Sequence, residues 1–198
     1  MAVVERFSMD AVRQALAARP PRRLPERLAQ SASVALVLNP ADTGLEALFI
    51  ERAKRHDDPW SGQIAFPGGR AEPGEDPVDT AVRETAEEVG LDLAGAELLG
   101  GLDEIQAVGR SRYVDLAIRP WVFGLRDRPG PLRYSDEVAS AHWFSLRELV
   151  DPARQAPFPY VRQGTRLDLP SIRIGGLVIW GLTYRMLRSF ADVVAGEP

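Results

Sequence analysis

The sequence predicts a single domain of the α/β (α+β) class, and three observations lead there. Apolar runs of strand length recur at residues 33–38, 45–52, 63–66, about 96–105, about 112–123 and 138–144. Segments with helical spacing and helix-end residues lie around them, at 8–18, 77–89 and 179–194. The length of 198 residues suits one compact core, which at this size buries roughly 70% of the unfolded chain's surface.

Taken in order, Ser8 is placed to cap a first helix, with Asp10 in its first turn and Phe7 and Val12 as a hydrophobic staple. Pro20, Pro21 and Pro25 interrupt a basic stretch, so residues 1–30 read as a helix plus a Pro/Arg-rich lead-in. Residues 31–198 then form the main domain, ending in the C-terminal helix. Asn39-Pro40 through Gly44 supplies turn chemistry between the first two strands, and residues 53–62 read as an exposed loop. Ser145 is placed to cap a short helix over 146–150, closed by Asp151-Pro152, and Gly175-Gly176 marks a turn.

Composition narrows the function. Hydrophobic residues at 45% and charged residues at 26% fit an ordinary soluble protein. The absence of cysteine excludes disulfides, thiolate metal sites and a cysteine nucleophile. A net charge of -4 argues against a general nucleic-acid surface. Lys54 is the one lysine among 24 basic residues, a bias that points to genome composition. No apolar run approaches the roughly 20 residues of a membrane span and the start lacks a signal-peptide pattern, so a cytoplasmic protein is expected.

The chemistry concentrates in residues 66–91. Asp76 is an N-cap, Pro77 stands at the first helical position and Gly90 at the left-handed C-terminal cap, which bounds a helix over 77–89. At about 100° per residue, Val78, Ala81, Val82, Thr85 and Val89 share one stripe, and Glu84, Glu87 and Glu88 cluster roughly 130° away. Each like-charged neighbour on a helix costs a few tenths of a kcal/mol. Either Arg83 and solvent neutralise this face, or it holds a hard divalent cation. Mg²⁺ prefers oxygen ligands and shares its shell with water and substrate phosphates.

Phe66-Pro67-Gly68-Gly69-Arg70 ends a strand in a glycine turn, and the residues from Gly69 to Leu91 resemble the Nudix box, G-x5-E-x7-R-E-U-x-E-E-x-G-U with U a bulky aliphatic residue. At this chain's own Gly, Glu and Arg frequencies, chance agreement at the seven fixed positions anywhere in the chain is on the order of a few in a million. Thr85 is the one departure, at the first aliphatic position. The resemblance covers about residues 30–190 and implies the Nudix fold, a mixed sheet between helices. It implies a hydrolase that cleaves a nucleoside diphosphate linked to another moiety, with Mg²⁺, or Mn²⁺ in its place, as cofactor. It further implies Glu84, Glu87, Glu88 and the Gly69 carbonyl as metal ligands, and Arg83 as a partner that orients the glutamates. Glu75 falls at the cluster's edge in a structural role. In many members the catalytic base is a glutamate before a late strand carrying tryptophan, which here selects Glu137, ahead of His142-Trp143.

The stretch 62–69, the preceding Arg52-Ala53 and Ile179-Trp180-Gly181-Leu182-Thr183 look like the coenzyme A diphosphatase branch. That branch also places an arginine four residues before Gly62 and then a histidine, where this chain has Asp58 and Trp60. Markers of ADP-ribose and dinucleoside polyphosphate hydrolases are missing at Gln106-Ala107-Val108. Arg52 and Arg70 are candidate phosphate contacts. Trp60, Phe66, Phe158 and Tyr160 could stack a base or line a pantetheine groove. His56 and His142 read as loop and strand residues. The expected partner is a small nucleotide-type diphosphate, bound by a monomer or a homodimer, with no nucleic acid and no membrane. The alternatives are a coenzyme A diphosphatase and, from another class, a Nudix-fold module that binds a nucleotide without cleaving it. Such modules usually lose glutamates of the box, and this chain keeps them all.

Overall fold

In a computed structural model, residues 7–25, 30–42, 44–56, 60–108, 113–162 and 164–196 are described. A long first strand, β1 (Gln30–Ala41), organises the main sheet. Its apolar run pairs in parallel with β7 (Tyr113–Gly124), from Gln30↔Leu116 to Leu38↔Gly124. On its other edge, β4 (Gly68–Arg70) pairs antiparallel with the first part and β2 (Gly44–Arg52) with the last part. β3 (Ile64–Ala65) and β8 (Val138–Ser145) extend β2, and β5 (Glu97–Gly101) and β6 (Ile105–Val108) pair with β7. A mixed eight-stranded sheet results.

Helices cover both faces because β1 alternates two apolar sets. Ala35 and Val37 pack with Ala81 and Val89 of α2 (Pro77–Val89). Leu36 and Leu38 pack into the opposite core with Val12 and Leu16 of α1 (Met9–Ala18), and with Met186, Leu187 and Phe190 of the last helix. This is the expected mixed sheet between helices. Thr85 is fully buried in the α2 stripe, and its hydroxyl donates to the Ala81 carbonyl at 2.7 Å. A polar residue sits there without an unpaired group.

Local signals set several boundaries. Ser8 Oγ accepts from the Ala11 N–H at 3.2 Å and starts α1. The basic lead-in lies on two acids. Arg19 forks onto Asp103 at 3.0 and 2.8 Å, and the Arg22 N–H also donates to Asp103. Glu104 accepts from the Leu24 N–H at 2.7 Å, Arg119 at 2.8 Å and Arg23 at 3.3 Å. Asp103 and Glu104 thus bond the lead-in, while the Leu102 N–H still donates to the Pro120 carbonyl at 2.9 Å, and the expected strand over 96–105 divides into β5 and β6.

Four further expectations are corrected. Asn39 and Pro40 belong to β1, opposite Glu46 and Leu45. The β7 ladder ends at Leu38, so the missing N–H of Pro40 leaves no gap. The short helix α3 (Leu146–Leu149) takes no side-chain bond from Ser145, and Asp151 instead caps the 3₁₀ turn Pro152–Arg154 at Ala153 N–H, 2.9 Å. Ile179 and Trp180 lie in a strand opposite Ile172 and Ser171, and the last helix α4 begins at Gly181 (Gly181–Ala195). A short apolar run reads equally as strand or helix. Finally, β9 (Gln155–Arg162), β10 (Thr165–Ile174) and β11 (Leu177–Trp180) form an antiparallel three-stranded sheet that the sequence hid behind Pro157, Pro159 and Pro170. Among the described residues, no helix is long and apolar enough to cross a membrane.

Candidate active site

The site is built where β4 turns into α2. Gly68 has φ +150°, and a Cβ there would stand 2.3 Å from the Ser33 carbonyl oxygen, so only glycine fits against β1. At Gly69 a Cβ would stand 2.4 Å from the Glu84 carboxyl group. The turn therefore carries bare backbone up to the acids of α2. That helix is held in place by Asp76, whose carboxylate accepts from the Val78 N–H at 2.8 Å, and by Gly90 at φ +66°.

Arg83 ties the cluster together. It donates to Glu75 at 2.8 and 3.0 Å, Glu84 at 3.0 Å, Glu87 at 3.1 Å and the Arg70 carbonyl at 3.1 Å. Glu75 also accepts from the Glu72 N–H and the Thr80 hydroxyl. Arg83 first, then these donors, hold the Glu75 carboxyl down at about 2. Glu84 and Glu88 shift the other way. Burial pushes Glu84 up against the opposing pull of Arg83. Burial pushes Glu88, 3% exposed, up to about 7. The Gly68 N–H at 2.8 Å and Arg52 at 3.9 Å offset that only in part, and the negative charges of Glu84 and Glu137 add to it.

A cavity of about 460 Å³ opens over these groups. Glu84, Glu88 and Gly69 line it from the turn and α2, and Glu137 lines it from the start of β8. Arg52, Arg70 and Trp60 also line it. Phe66 forms its floor, but the ring is 2% exposed and packed on Phe49 at 4.8 Å, so it offers little face to a ligand. Glu87 points outward toward Arg83, with its side chain 59% exposed, and neither of the two lines the cavity. Phe158 and Tyr160 lie elsewhere, against Trp180 at 4.5 and 5.2 Å. His142 stacks on Phe144, and His56 is in the exposed loop. Asp57 and Asp58 lie outside the described residues.

Sequence reasoning missed two groups. Arg55 lines the cavity and pairs with Glu137 at 3.0 Å. Leu182, Thr183 and Met186 of α4 close the far wall, and the only signal for them was the resemblance of 179–183 to one branch. A separate cavity of about 580 Å³, between the lead-in, β7 and the start of α2, contains none of the glutamates of the cluster.

The donor set suits a hard divalent cation. Every candidate ligand is an oxygen, and Glu88 is a buried carboxylate short of positive partners. Among the described residues no group of three or more Asp, Glu or His side chains converges as a metal site, so the protein alone would supply only part of a cation's shell. An open half-shell completed by water and phosphate oxygens is the arrangement Mg²⁺ favours.

A glycine turn, helix-borne glutamates and arginines thus share one cleft, an arrangement suited to phosphate chemistry. Comparison with known proteins gives the family: residues 28–163 match the NUDIX domain, and the chain belongs to the Nudix hydrolases, which act on pyrophosphate bonds and generally use divalent metal ions. An uncharacterized protein of Schizosaccharomyces pombe is 36% identical over 130 residues, which are 64% of this chain and 37% of that protein. The Nudix hydrolase NudL of Yersinia pestis, also uncharacterized, is 30% identical over 150 residues, 75% of this chain and 72% of that one. Among solved structures, a MutT/nudix family protein from Enterococcus faecalis shares the fold with a TM-score of 0.56 at 17% identity, covering 95% of this chain and 70% of that one.

Proposed function

We propose that this protein hydrolyses the diphosphate bond of a nucleoside diphosphate linked to another moiety. One observation carries the reading: Glu84, Glu88 and Glu137 face the same 460 Å³ cavity as Arg52 and Arg70. Such a cleft offers cation ligands and phosphate contacts together. Glu84, Glu88 and the Gly69 carbonyl would hold Mg²⁺, or Mn²⁺ in its place, and Glu87 would join them by turning away from Arg83. The ion, when bound, offsets negative charge on the phosphate oxygens. Arg83 fixes the glutamates, while Arg52 and Arg70 bind phosphate oxygens and Trp60 offers its ring to a flat group. Glu137 takes the proton of the attacking water. The water oxygen bonds to one phosphorus as the bridging P–O bond breaks, and two phosphate-terminated products leave. No side-chain nucleophile is needed.

The purified protein with Mg²⁺ should release products from nucleotide sugars, ADP-ribose, dinucleoside polyphosphates, coenzyme A or dephospho-coenzyme A. Glu87→Gln and Glu88→Gln should remove most of that turnover while the fold persists. Near-normal turnover in both variants would sink the metal assignment.

A coenzyme A diphosphatase is the second reading, favoured because Leu182 and Thr183, from the stretch that resembles that branch, form cavity wall. Asp57 and Asp58 argue that the 3′-phosphate of coenzyme A is poorly received, since like charges cost affinity. Dephospho-coenzyme A should therefore have the higher kcat/KM, and Asp58→Arg should shift preference toward coenzyme A. If coenzyme A is already preferred and the arginine adds nothing, the second reading replaces the first.

A further inference from the structure

The arginines in and behind the cavity wall are held very differently. Arg83, behind the cluster, is pinned by Glu75, Glu84, Glu87 and a backbone carbonyl. Arg52 faces the buried Glu88. Arg55 instead bridges two acids of the segment before β8: its guanidinium donates to Glu137 at 3.0 Å and to Asp136 at 3.1 Å. The side chains of Arg55 and Glu137 are 41% and 50% exposed, and that of Asp136 is 92% exposed. Charges this open to water hold one another weakly.

That weak pair is not what positions Glu137. The Ala53 N–H donates to the Glu137 carbonyl at 2.8 Å, and Arg52 sits opposite Val138 in the β2–β8 ladder. The backbone keeps its place whether or not the side chains remain paired. A diphosphate entering the cavity brings at least two negative charges and several acceptor oxygens in a less solvated setting, a stronger partner for a planar guanidinium than two carboxylates half or more exposed to water.

We propose that Arg55 is shared between Glu137 and the substrate. It pairs with the carboxylate while the cleft is empty, turns to the entering diphosphate, and so leaves Glu137 free to accept the proton of the attacking water. Arg55 is then both a specificity residue for the anion and the group whose departure frees the base. The second role rests on the function proposed above.

The test is a double-mutant cycle on binding of methylenediphosphonate, a diphosphate analogue with no cleavable bridge, measured by calorimetry with Mg²⁺ present. If Glu137 competes with the analogue for Arg55, Glu137→Gln tightens binding about threefold or more in the wild-type background. That gain shrinks to near zero in Arg55→Ala. Arg55→Ala alone weakens binding about tenfold, and Arg55→Lys, which keeps the charge, recovers part of it. Equal tightening by Glu137→Gln in both backgrounds, or wild-type affinity in Arg55→Ala, would overturn the proposal. Turnover separates the two readings: normal kcat in Glu137→Gln removes the base and the release role with it, while an intact cycle still supports Arg55 as an anion contact.

Discussion

Glu88 should make the metal-free protein lose stability as pH rises. Its carboxyl is raised from 4.5 to about 7 in the folded chain, chiefly by burial. Between those values the folded state keeps a proton that the unfolded state has released. The stabilisation is therefore complete below about pH 4.5 and is lost as pH climbs through 7. At 1.36 kcal/mol per pH unit the loss amounts to about 3 kcal/mol, or about 7 °C in Tm for a chain of this length. Glu88→Gln removes the titration but keeps an acceptor for the Gly68 N–H. With EDTA present, the variant should match the wild type near pH 4.5 and exceed it by about 3 kcal/mol at pH 8. Urea unfolding followed by tryptophan fluorescence from pH 5 to 8 measures this, and the difference between the two proteins cancels every other titrating group. A difference that stays constant across that range would refute the reasoning. Mg²⁺ at pH 8 should raise the wild-type Tm more than that of Glu88→Gln, because it stabilises the charged carboxylate.

Glu137→Gln should lower kcat and kcat/KM together, by roughly 10²- to 10⁴-fold; an altered KM with unchanged kcat would make the residue a binding group. Gly69→Ala should fold and lose most turnover, because the atoms nearest the new methyl are the movable end of Glu84. Gly68→Ala meets the backbone of Ser33 and Val34 and should lose about 3 kcal/mol or more in urea unfolding. Similar stabilities for the two alanine variants would contradict that distinction. Glu104→Ala should lose about 2–3 kcal/mol, since it strands the Leu24 N–H and the Arg119 guanidinium. A loss under about 1 kcal/mol would show that the lead-in is not anchored there.

The parts of the molecule that were legible are those whose cause is local. Helix α2 begins and ends where Asp76, Pro77 and Gly90 say it should, because capping needs only neighbours in the chain. Most strands of the main sheet were legible because they carry apolar runs, whereas β4, Gly68–Arg70, carries none and read as a turn. Strands β9 and β10 were not, since prolines normally break strands; here Pro157 faces Pro170 and the sheet has three strands only. The start of α4 was misplaced because what makes Ile179 a strand residue is Ile172 on β10, which periodicity cannot see. At the candidate site, the carboxylate spacing was written in one helix. The Arg55–Glu137 pair joins residues 82 apart through the β2–β8 ladder, and no local pattern announces it.

Charge balance explains why that pair matters to the whole cleft. Among the described residues the carboxylates lining the cavity are Glu84, Glu88 and Glu137 and the guanidiniums are Arg52, Arg55 and Arg70, so while Glu88 keeps its proton the positive groups outnumber the negative ones by one. Arg83 spends its donors behind the cluster, on Glu75, Glu84 and Glu87, which relieves repulsion along α2 without adding a free cation to the cleft. A diphosphate diester brings two negative charges, and one divalent cation cancels them. With both bound, Glu88 would give up its proton beside the cation, and Arg55 would exchange its exposed internal partners for the diphosphate. Coenzyme A adds a 3′-phosphate that nothing in this balance meets, which is the physical ground for expecting dephospho-coenzyme A to be the better of the two.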